Sequence, residues 1–145
     1  VLMIAAALVL VALVLFLKKT RYGMIIRAGV ENRAMVTALG IDVRRSFTLV
    51  FAIGGAAAGI GGVLAMHYTT FVSAHLGQTL LIFAFIVTVI GGLGSLTGAA
   101  IASVLVAVLQ QFANVYLSGT GDFIVVALLA VVLLVRPTGL MGRKA

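Results

Sequence analysis

Residues 47–66 read FTLVFAIGGAAAGIGGVLAM, a run without a single charged side chain. A helix rises about 1.5 Å per residue, so about 20 apolar residues are enough to cross a bilayer. The whole chain has the same character, because 63% of its 145 residues are hydrophobic, 9% are charged and the mean hydropathy is +1.32. A soluble domain carries about 25% charged residues. These values exclude a water-soluble globule and predict an all-α membrane protein.

Further apolar runs lie on both sides of this stretch. Measured against the same bilayer thickness, they are Val1–Leu17, Leu80–Ile90, Leu96–Phe112 and Phe123–Val135. We therefore predict a polytopic transmembrane helical bundle with about five membrane segments, forming a single membrane-embedded domain over residues 1–145. The chain opens inside an apolar run, without the basic residues that begin a signal peptide. We read it as a fragment that starts within a transmembrane helix.

The positions of the charges predict the topology. The 10 Lys and Arg residues fall into two groups, one over residues 18–45 and one over residues 136–144, and Asp122 is the one charge between them. Lys and Arg in short loops mark the cytoplasmic side of a membrane. Both groups should therefore be cytoplasmic, with four crossings between them. In a chain this apolar, the formal charge of +7 indicates topology and contact with lipid, and not nucleic-acid binding.

Few side chains are available for chemistry. The chain has no Cys, two His and three carboxylates, so we predict neither catalytic residues nor a metal site. Gly92 and Gly94 superficially resemble a dinucleotide fingerprint, but the strand and the acidic residue that the fingerprint requires are missing. There is also no Gly-Lys-Ser/Thr phosphate loop. We expect this chain to bind no cofactor, and ATP, if it drives transport, to bind on another subunit.

Small residues recur every four positions in the 47–66 run. The spacing relates Gly55 to Gly59, and Gly54 to Ala58 and Gly62. Small residues at that spacing form a flat stripe on which a second membrane helix can pack closely. Helix packing is one interpretation of the stripe, and a substrate pathway lined by it is the other.

A second glycine-rich segment covers residues 90–98. Its predicted site residues are Gly91, Gly92, Gly94, Ser95 and Gly98. Three glycines within four residues disfavour a helix, because each costs about 1 kcal/mol relative to Ala. The segment is either a tight cytoplasmic turn with Ser95 capping the next helix, or a break at membrane depth that lines a substrate path.

The basic loop over residues 18–46 contains a candidate docking helix. Residues 25–39 are compatible with a helix that Gly40 would end, and Ser46 could cap the following span. One face of this helix would carry Ala34, Ala38 and Leu39 together with Met35. Such a loop could merely contact lipid headgroups, but a face of small residues favours docking into a partner.

Four sequence blocks carry a resemblance to a known family. They are Arg27-Ala28…Glu31-Asn32-Arg33-Ala34…Ala38-Leu39-Gly40-Ile41, Phe51-Ala52-Ile53…Ala58-Gly59-Ile60-Gly61-Gly62-Val63-Leu64, Gly91-Gly92-Leu93-Gly94-Ser95-Leu96-Thr97-Gly98-Ala99 and Arg136-Pro137-Thr138-Gly139-Leu140-Met141-Gly142. In this order they resemble the branched-chain amino acid ABC transporter permeases. The resemblance runs from about Tyr22 to Gly142. Members are about twice this length, so the chain corresponds to a C-terminal half.

The resemblance implies a bacterial inner-membrane permease subunit that is not itself an enzyme. Its partners would be a sister permease, cytoplasmic ABC ATPases that bind ATP and Mg, and a periplasmic substrate-binding protein. The predicted ATPase-coupling residues are Glu31, Asn32, Ala34, Ala38, Gly40 and Ile41. The general importer motif places Glu six residues before its Gly, whereas Glu31 lies nine before Gly40. The prediction therefore concerns the helix as a docking surface more than Glu31 itself.

Substrate and driving force have alternatives. The resemblance favours branched-chain amino acids and extends to urea and short amides. A stand-alone ion-driven carrier would need charged groups inside its spans, which the spans here lack.

Polar residues near the predicted outer surface have structural interpretations. Asp122 would be the N-cap of the last helix, although an intramembrane carboxylate can also be functional. Gln110, Gln111 and Asn114 are expected to form hydrogen bonds between helices, and contact with a substrate's polar ends is the alternative. His67 and His75 are predicted to be interfacial.

Overall fold

The structure is a computed structural model that describes residues 1–142. Within this range the chain is all-helical, as predicted, and its helices are α1 (Leu2–Lys19), α2 (Arg21–Glu31), α3 (Arg33–Ala38), α4 (Val43–Thr69), α5 (Ala74–Gly91), α6 (Leu96–Tyr116) and α7 (Gly121–Val135). They form two compact units, α1–α4 up to Val72 and α5–α7 from Ser73 onward. Arg143 and Lys144, which belong to the second basic group, lie outside the described residues.

Four helices are long and apolar enough to cross a membrane. These are α1, α4, α5 and α6, with 18, 27, 18 and 21 residues. The fifth predicted span, α7, is apolar but has 15 residues, which corresponds to about 22 Å against a hydrocarbon core of about 30 Å. The helices confirm the prediction of a polytopic helical protein.

The chain turns between α1 and α2 through a close approach of Gly23 to the end of α1. Thr20 between the helices is extended, with φ −94° and ψ 146°. Gly23 is buried where a β-carbon would overlap the carbonyl oxygen of Leu17. The guanidinium of Arg27 donates to that same oxygen at 2.9 Å. One cation of the basic loop therefore stabilises the C-terminal end of α1, whose last carbonyls have no partner within the helix.

The continuous helix predicted over residues 25–39 was wrong at Asn32. This residue has φ −152° and ψ 90°, and it ends α2 and begins α3. Its side-chain oxygen accepts a hydrogen bond from the backbone N–H of Met35 at 3.1 Å. Asn competes for backbone groups in this way, which favours helix caps over helix interiors.

The predicted cap of α4 was also wrong. Asp42 is the N-cap residue, and its Oδ1 accepts from the N–H of Arg45 at 3.3 Å while its Oδ2 pairs with Arg45 Nε at 3.0 Å. Ser46 lies in the first turn instead, buried, with its hydroxyl donating to the Asp42 carbonyl at 3.4 Å. A carboxylate at an N-cap also interacts favourably with the helix dipole, so the helix begins earlier than predicted.

The second unit is a three-helix cluster around a small apolar core. Its buried residues are Ile86, Ile90, Ala102, Val106 and Val125. Ser95 caps α6 as predicted, accepting from the N–H of Gly98 at 3.0 Å. Between α5 and α6 the backbones approach so closely that a β-carbon at Gly91 would lie 2.5 Å from the α-carbon of Ala99. The glycine-rich segment thus has the geometry of a tight turn joining two long helices.

Hydrogen bonds join α6 to α7 at the opposite end of this unit. Gln110 Nε2 donates to Asp122 Oδ1 at 3.0 Å, and the N–H of Gly121 donates to Asn114 Oδ1 at 3.2 Å. The predicted bonds between helices are confirmed for Gln110 and Asn114, whereas Gln111 is exposed.

The N-cap role predicted for Asp122 was wrong. Thr120 holds the N-cap position of α7, and Asp122 is the second residue inside the helix. The N–H of Gly121 is already bonded to Asn114 on α6. Asn114 on the neighbouring helix thus satisfies one of the free N–H groups that a cap would otherwise bind. Asp122 lies in the first turn, where the helix dipole stabilises a carboxylate.

Candidate functional site

The residues that flank the short helix α3 fix both of its ends. Asn32 caps its start, and Gly40 turns the chain after its end with φ +79°. The N–H of Gly40 donates to the Thr37 carbonyl at 3.0 Å. This left-handed conformation strains residues that have a β-carbon, whereas no atom within 4 Å would contact one at Gly40. The sequence requires Gly here because of the backbone, and the surrounding space is open.

One side of α3 is an exposed apolar surface, which we call the docking face. Its members are Ala34, Met35, Ala38 and Leu39, all exposed. Met35 is 64% exposed and Leu39 is 72% exposed, whereas Val36 on the other side is 6% exposed and packs inward. Contiguous exposed apolar residues between polar segments are typical of sites that contact another protein or a membrane.

The predicted coupling residues divide into three roles in the structure. Ala34 and Ala38 lie on the docking face, as the sequence indicated. Asn32 and Gly40 shape the two ends of α3. Glu31 is the exposed last residue of α2, and Ile41 is half-buried after the turn. The structure therefore brings these six residues into one segment without placing them all on one surface.

Met35 and Leu39, which the sequence analysis placed on this face, were not among the predicted coupling residues. They are the largest apolar side chains on the docking face, and their spacing of four residues places them side by side on a helix. That spacing was visible in the sequence. The burial of Val36 was not, and it decides which side of α3 faces outward.

The first unit also carries many exposed cations. They are Lys18, Lys19, Arg21, Arg27, Arg33, Arg44 and Arg45. Of these, Arg45 is paired with Asp42. Positive charge on the surface of this unit would attract an acidic partner surface and orient it during encounter.

Loss of the Asn32 cap should loosen α3. We expect Asn32→Ala to destabilise this segment by about 0.5–2 kcal/mol, because the N–H of Met35 loses its acceptor. Asn32→Asp keeps an acceptor at the same position and serves as the matched control. Hydrogen exchange at the amide of Met35 in the full-length protein measures the difference. Equal protection in the two variants would contradict the capping role.

The two groups of predicted glycine residues have different surroundings. In α4, a β-carbon added at Gly55, Gly59 or Gly62 would contact nothing within 4 Å. In the second unit, Gly91, Gly92 and Gly98 are buried against other backbone segments. The stripe on α4 is thus an open surface of this chain, and its role in helix packing or in a pathway stays a prediction.

The long apolar helices are those of a multi-pass membrane protein. The short exposed helix α3 lies in the chain between two of them, and within residues 1–142 no three His, Cys, Asp or Glu residues come together to hold a metal ion. The family described as branched-chain amino acid transport system / permease component matches residues 1–135. The chain belongs to this family, and it is part of a multi-pass membrane protein.

The curated relatives of this chain are named as permease proteins. The chain is 37% identical over 144 residues to the high-affinity branched-chain amino acid transport system permease protein LivH of Salmonella typhimurium, covering 99% of this chain and 47% of the relative. It is 36% identical over 137 residues to the corresponding protein BraD of Pseudomonas aeruginosa, covering 94% and 45%. The fructose import permease protein FruF of Bifidobacterium longum is 32% identical over 115 residues, covering 74% and 32%.

The chain therefore spans about half the length of the LivH and BraD proteins that it matches. No solved structure matches it significantly.

Proposed function

We propose that the full-length protein is the permease subunit of an ATP-driven importer of branched-chain amino acids in the bacterial inner membrane. The observation that carries the proposal is the docking face of α3, an exposed apolar surface in a cation-rich segment between the long apolar helices α1 and α4. Its partners are cytoplasmic ABC ATPases, which bind ATP and Mg, together with a sister permease and a periplasmic substrate-binding protein. The basic loop and the C-terminus face the cytoplasm.

Contacts within the first unit offer a route from α3 to the membrane. Val36 anchors α3, and α2 packs against the start of α4 at Gly29. A β-carbon at Gly29 would lie 3.2 Å from atoms of both Val43 and Phe47, so the two helices are in close contact there. Movement of an ATPase bound to α3 is therefore transmitted to α4, which carries the open glycine stripe. No catalytic group is needed in this chain for that step.

The relatives support the substrate class without fixing it. LivH and BraD are named for branched-chain amino acids, and FruF is named for fructose. The spans of this chain carry almost no charge, which suits substrates with apolar side chains. Urea or a short amide is the second candidate, because such substrates also need no charged group in the pathway.

Uptake in reconstituted vesicles tests the function. We expect vesicles containing the full-length permease, its sister subunit and its ATPases to accumulate Leu, Ile or Val when the binding protein and ATP are supplied. Omitting ATP should abolish uptake. Uptake of urea or fructose in place of Leu would contradict the substrate assignment, and uptake driven by an ion gradient without ATPases would contradict the whole proposal.

A further inference from the structure

Residues 136–142, which we call the strap, fold back from α7 onto the turn between α5 and α6. The N–H of Leu140 donates to the Ile90 carbonyl at 2.7 Å, and the N–H of Met141 donates to the Gly91 carbonyl at 3.3 Å. These two carbonyls belong to the last turn of α5, where the helix itself supplies no donor. The strap therefore completes the hydrogen bonding of the end of α5.

Glycines permit this contact between backbones. Gly139 has φ +79°, and a β-carbon there would lie 2.5 Å from the α-carbon of Gly92. Gly92 has φ +95°, and a β-carbon there would lie 2.5 Å from the nitrogen of Gly142. Each position thus needs Gly twice over, for its dihedral angle and for the space. Strap and turn fit in one register, because a shift by one residue would replace a glycine by a larger residue.

Side chains extend the contact to α6 and to the core. Leu140 packs against the buried cluster of the second unit. Met141 reaches α6, where its Sδ lies 3.8 Å from the hydroxyl oxygen of Thr97. A β-carbon at Gly98 would lie 3.0 Å from the β-carbon of Met141. The strap, itself continuous with α7, thus touches both of the other helices of the unit.

We infer that the strap is a permanent clip that holds α5, α6 and α7 together at this end, so that the three helices move as one body during transport. Closely packed backbones have discrete arrangements and do not slide gradually. The contact combines two backbone hydrogen bonds with close approaches at Gly92 and Gly139, so opening it would break all of these together. The statement about movement rests on the proposed transport function, whereas the closed clip does not.

A pair of cysteines tests the clip directly. The chain has no Cys of its own, and Thr97 and Met141 touch through their side chains. We expect Thr97→Cys/Met141→Cys in the full-length protein to crosslink with a short bis-maleimide, and vesicles containing the crosslinked protein to retain uptake. The control pair Thr79→Cys/Met141→Cys should not crosslink. Thr79 lies about 18 Å along α5 from Gly91, the residue that bonds to Met141.

Three results would overturn the inference. Failure of the Thr97/Met141 pair to crosslink would show that the strap is not closed. Equal crosslinking of the control pair would show that the segment moves freely. Loss of uptake on crosslinking, with uptake intact in the unlinked double variant, would show that the strap has to open during transport.

A comparison of two stabilities tests whether the strap is closed, without any transport measurement. Gly139→Ala and Gly94→Ala both place Ala at positive φ, at +79° and +88°, but a β-carbon at Gly94 meets nothing within 4 Å. We expect Gly139→Ala to lower the folded-to-unfolded ratio about tenfold more than Gly94→Ala, because only Gly139 overlaps backbone. Equal effects would contradict the clip. If the wild-type protein transported nothing, the proposed function would fail. The crosslinking and stability measurements would still show whether the strap is closed.

Discussion

Gly98→Ala is expected to prevent α5 and α6 from packing together. A β-carbon at position 98 would overlap the carbonyl oxygen of Gly91, and backbone atoms cannot rotate away as a flexible side chain can. Ala gains about 1 kcal/mol over Gly in helix propensity, but overpacking a close contact costs about 1–3 kcal/mol or more. We therefore expect a strong fall in the yield of folded full-length protein, measured by size-exclusion chromatography and thermal unfolding in detergent.

Gly77→Ala is the matched control for this variant. Gly77 also lies inside a helix of the second unit, and a β-carbon there would contact nothing within 4 Å. The control should fold as well as the wild type or better, since only the propensity gain applies. Comparable yields of the Gly98 and Gly77 variants would contradict the close approach of α5 to α6.

The double variant Met35→Glu/Leu39→Lys is expected to weaken docking of the ATPase strongly and to reduce uptake with it. Both side chains are mostly exposed, so their replacement removes little packing within this chain. Glu four residues before Lys also favours the helix, and Lys suits the C-terminal end. Residues that anchor an interface typically contribute 2 kcal/mol or more each, so we expect association to weaken about 30-fold or more. Copurification of the ATPase with the full-length permease measures the loss.

Val30→Glu is the control for a charge on an exposed apolar position outside the docking face. Val30 lies on α2 and is 73% exposed, similar to Leu39. We expect it to leave copurification unchanged. A charged residue at Ala34 or Gly40 should weaken docking as the double variant does. If the double variant still bound its ATPase, α3 would not be the docking helix.

The membrane helices were predictable because their signal is local. An apolar run long enough for a bilayer can be recognised without knowing its neighbours. Accordingly, α1 lies within two residues of the predicted bounds and α6 begins at the predicted Leu96. The cap at Ser95 was predictable for the same reason. Errors occurred where two nearby polar side chains competed for one helix start. Asp42 replaced Ser46 in this way, and Asn32 capped a new helix inside a predicted one.

The arrangement of the candidate site depended on contacts that no local pattern contains. The docking face required the burial of Val36, which fixes the side of α3 that turns away from the unit. The bonds of Leu140 and Met141 to the end of α5 join positions about 50 residues apart. The sequence blocks at residues 91–99 and 136–142 were each recognisable, but nothing in either block indicated that they touch.

The bonds between the strap and α5 also bear on how the protein is made. A ribosome adds about 5–20 residues per second, so the partner of the Ile90 carbonyl appears roughly 3–10 s after Ile90 itself. During that interval the carbonyls at the end of α5 depend on water or on other proteins. The α5–α6 hairpin can enter the membrane first and is completed only when residues 136–142 emerge. A nascent chain that stalls before Leu140 would leave the Ile90 and Gly91 carbonyls without these two donors.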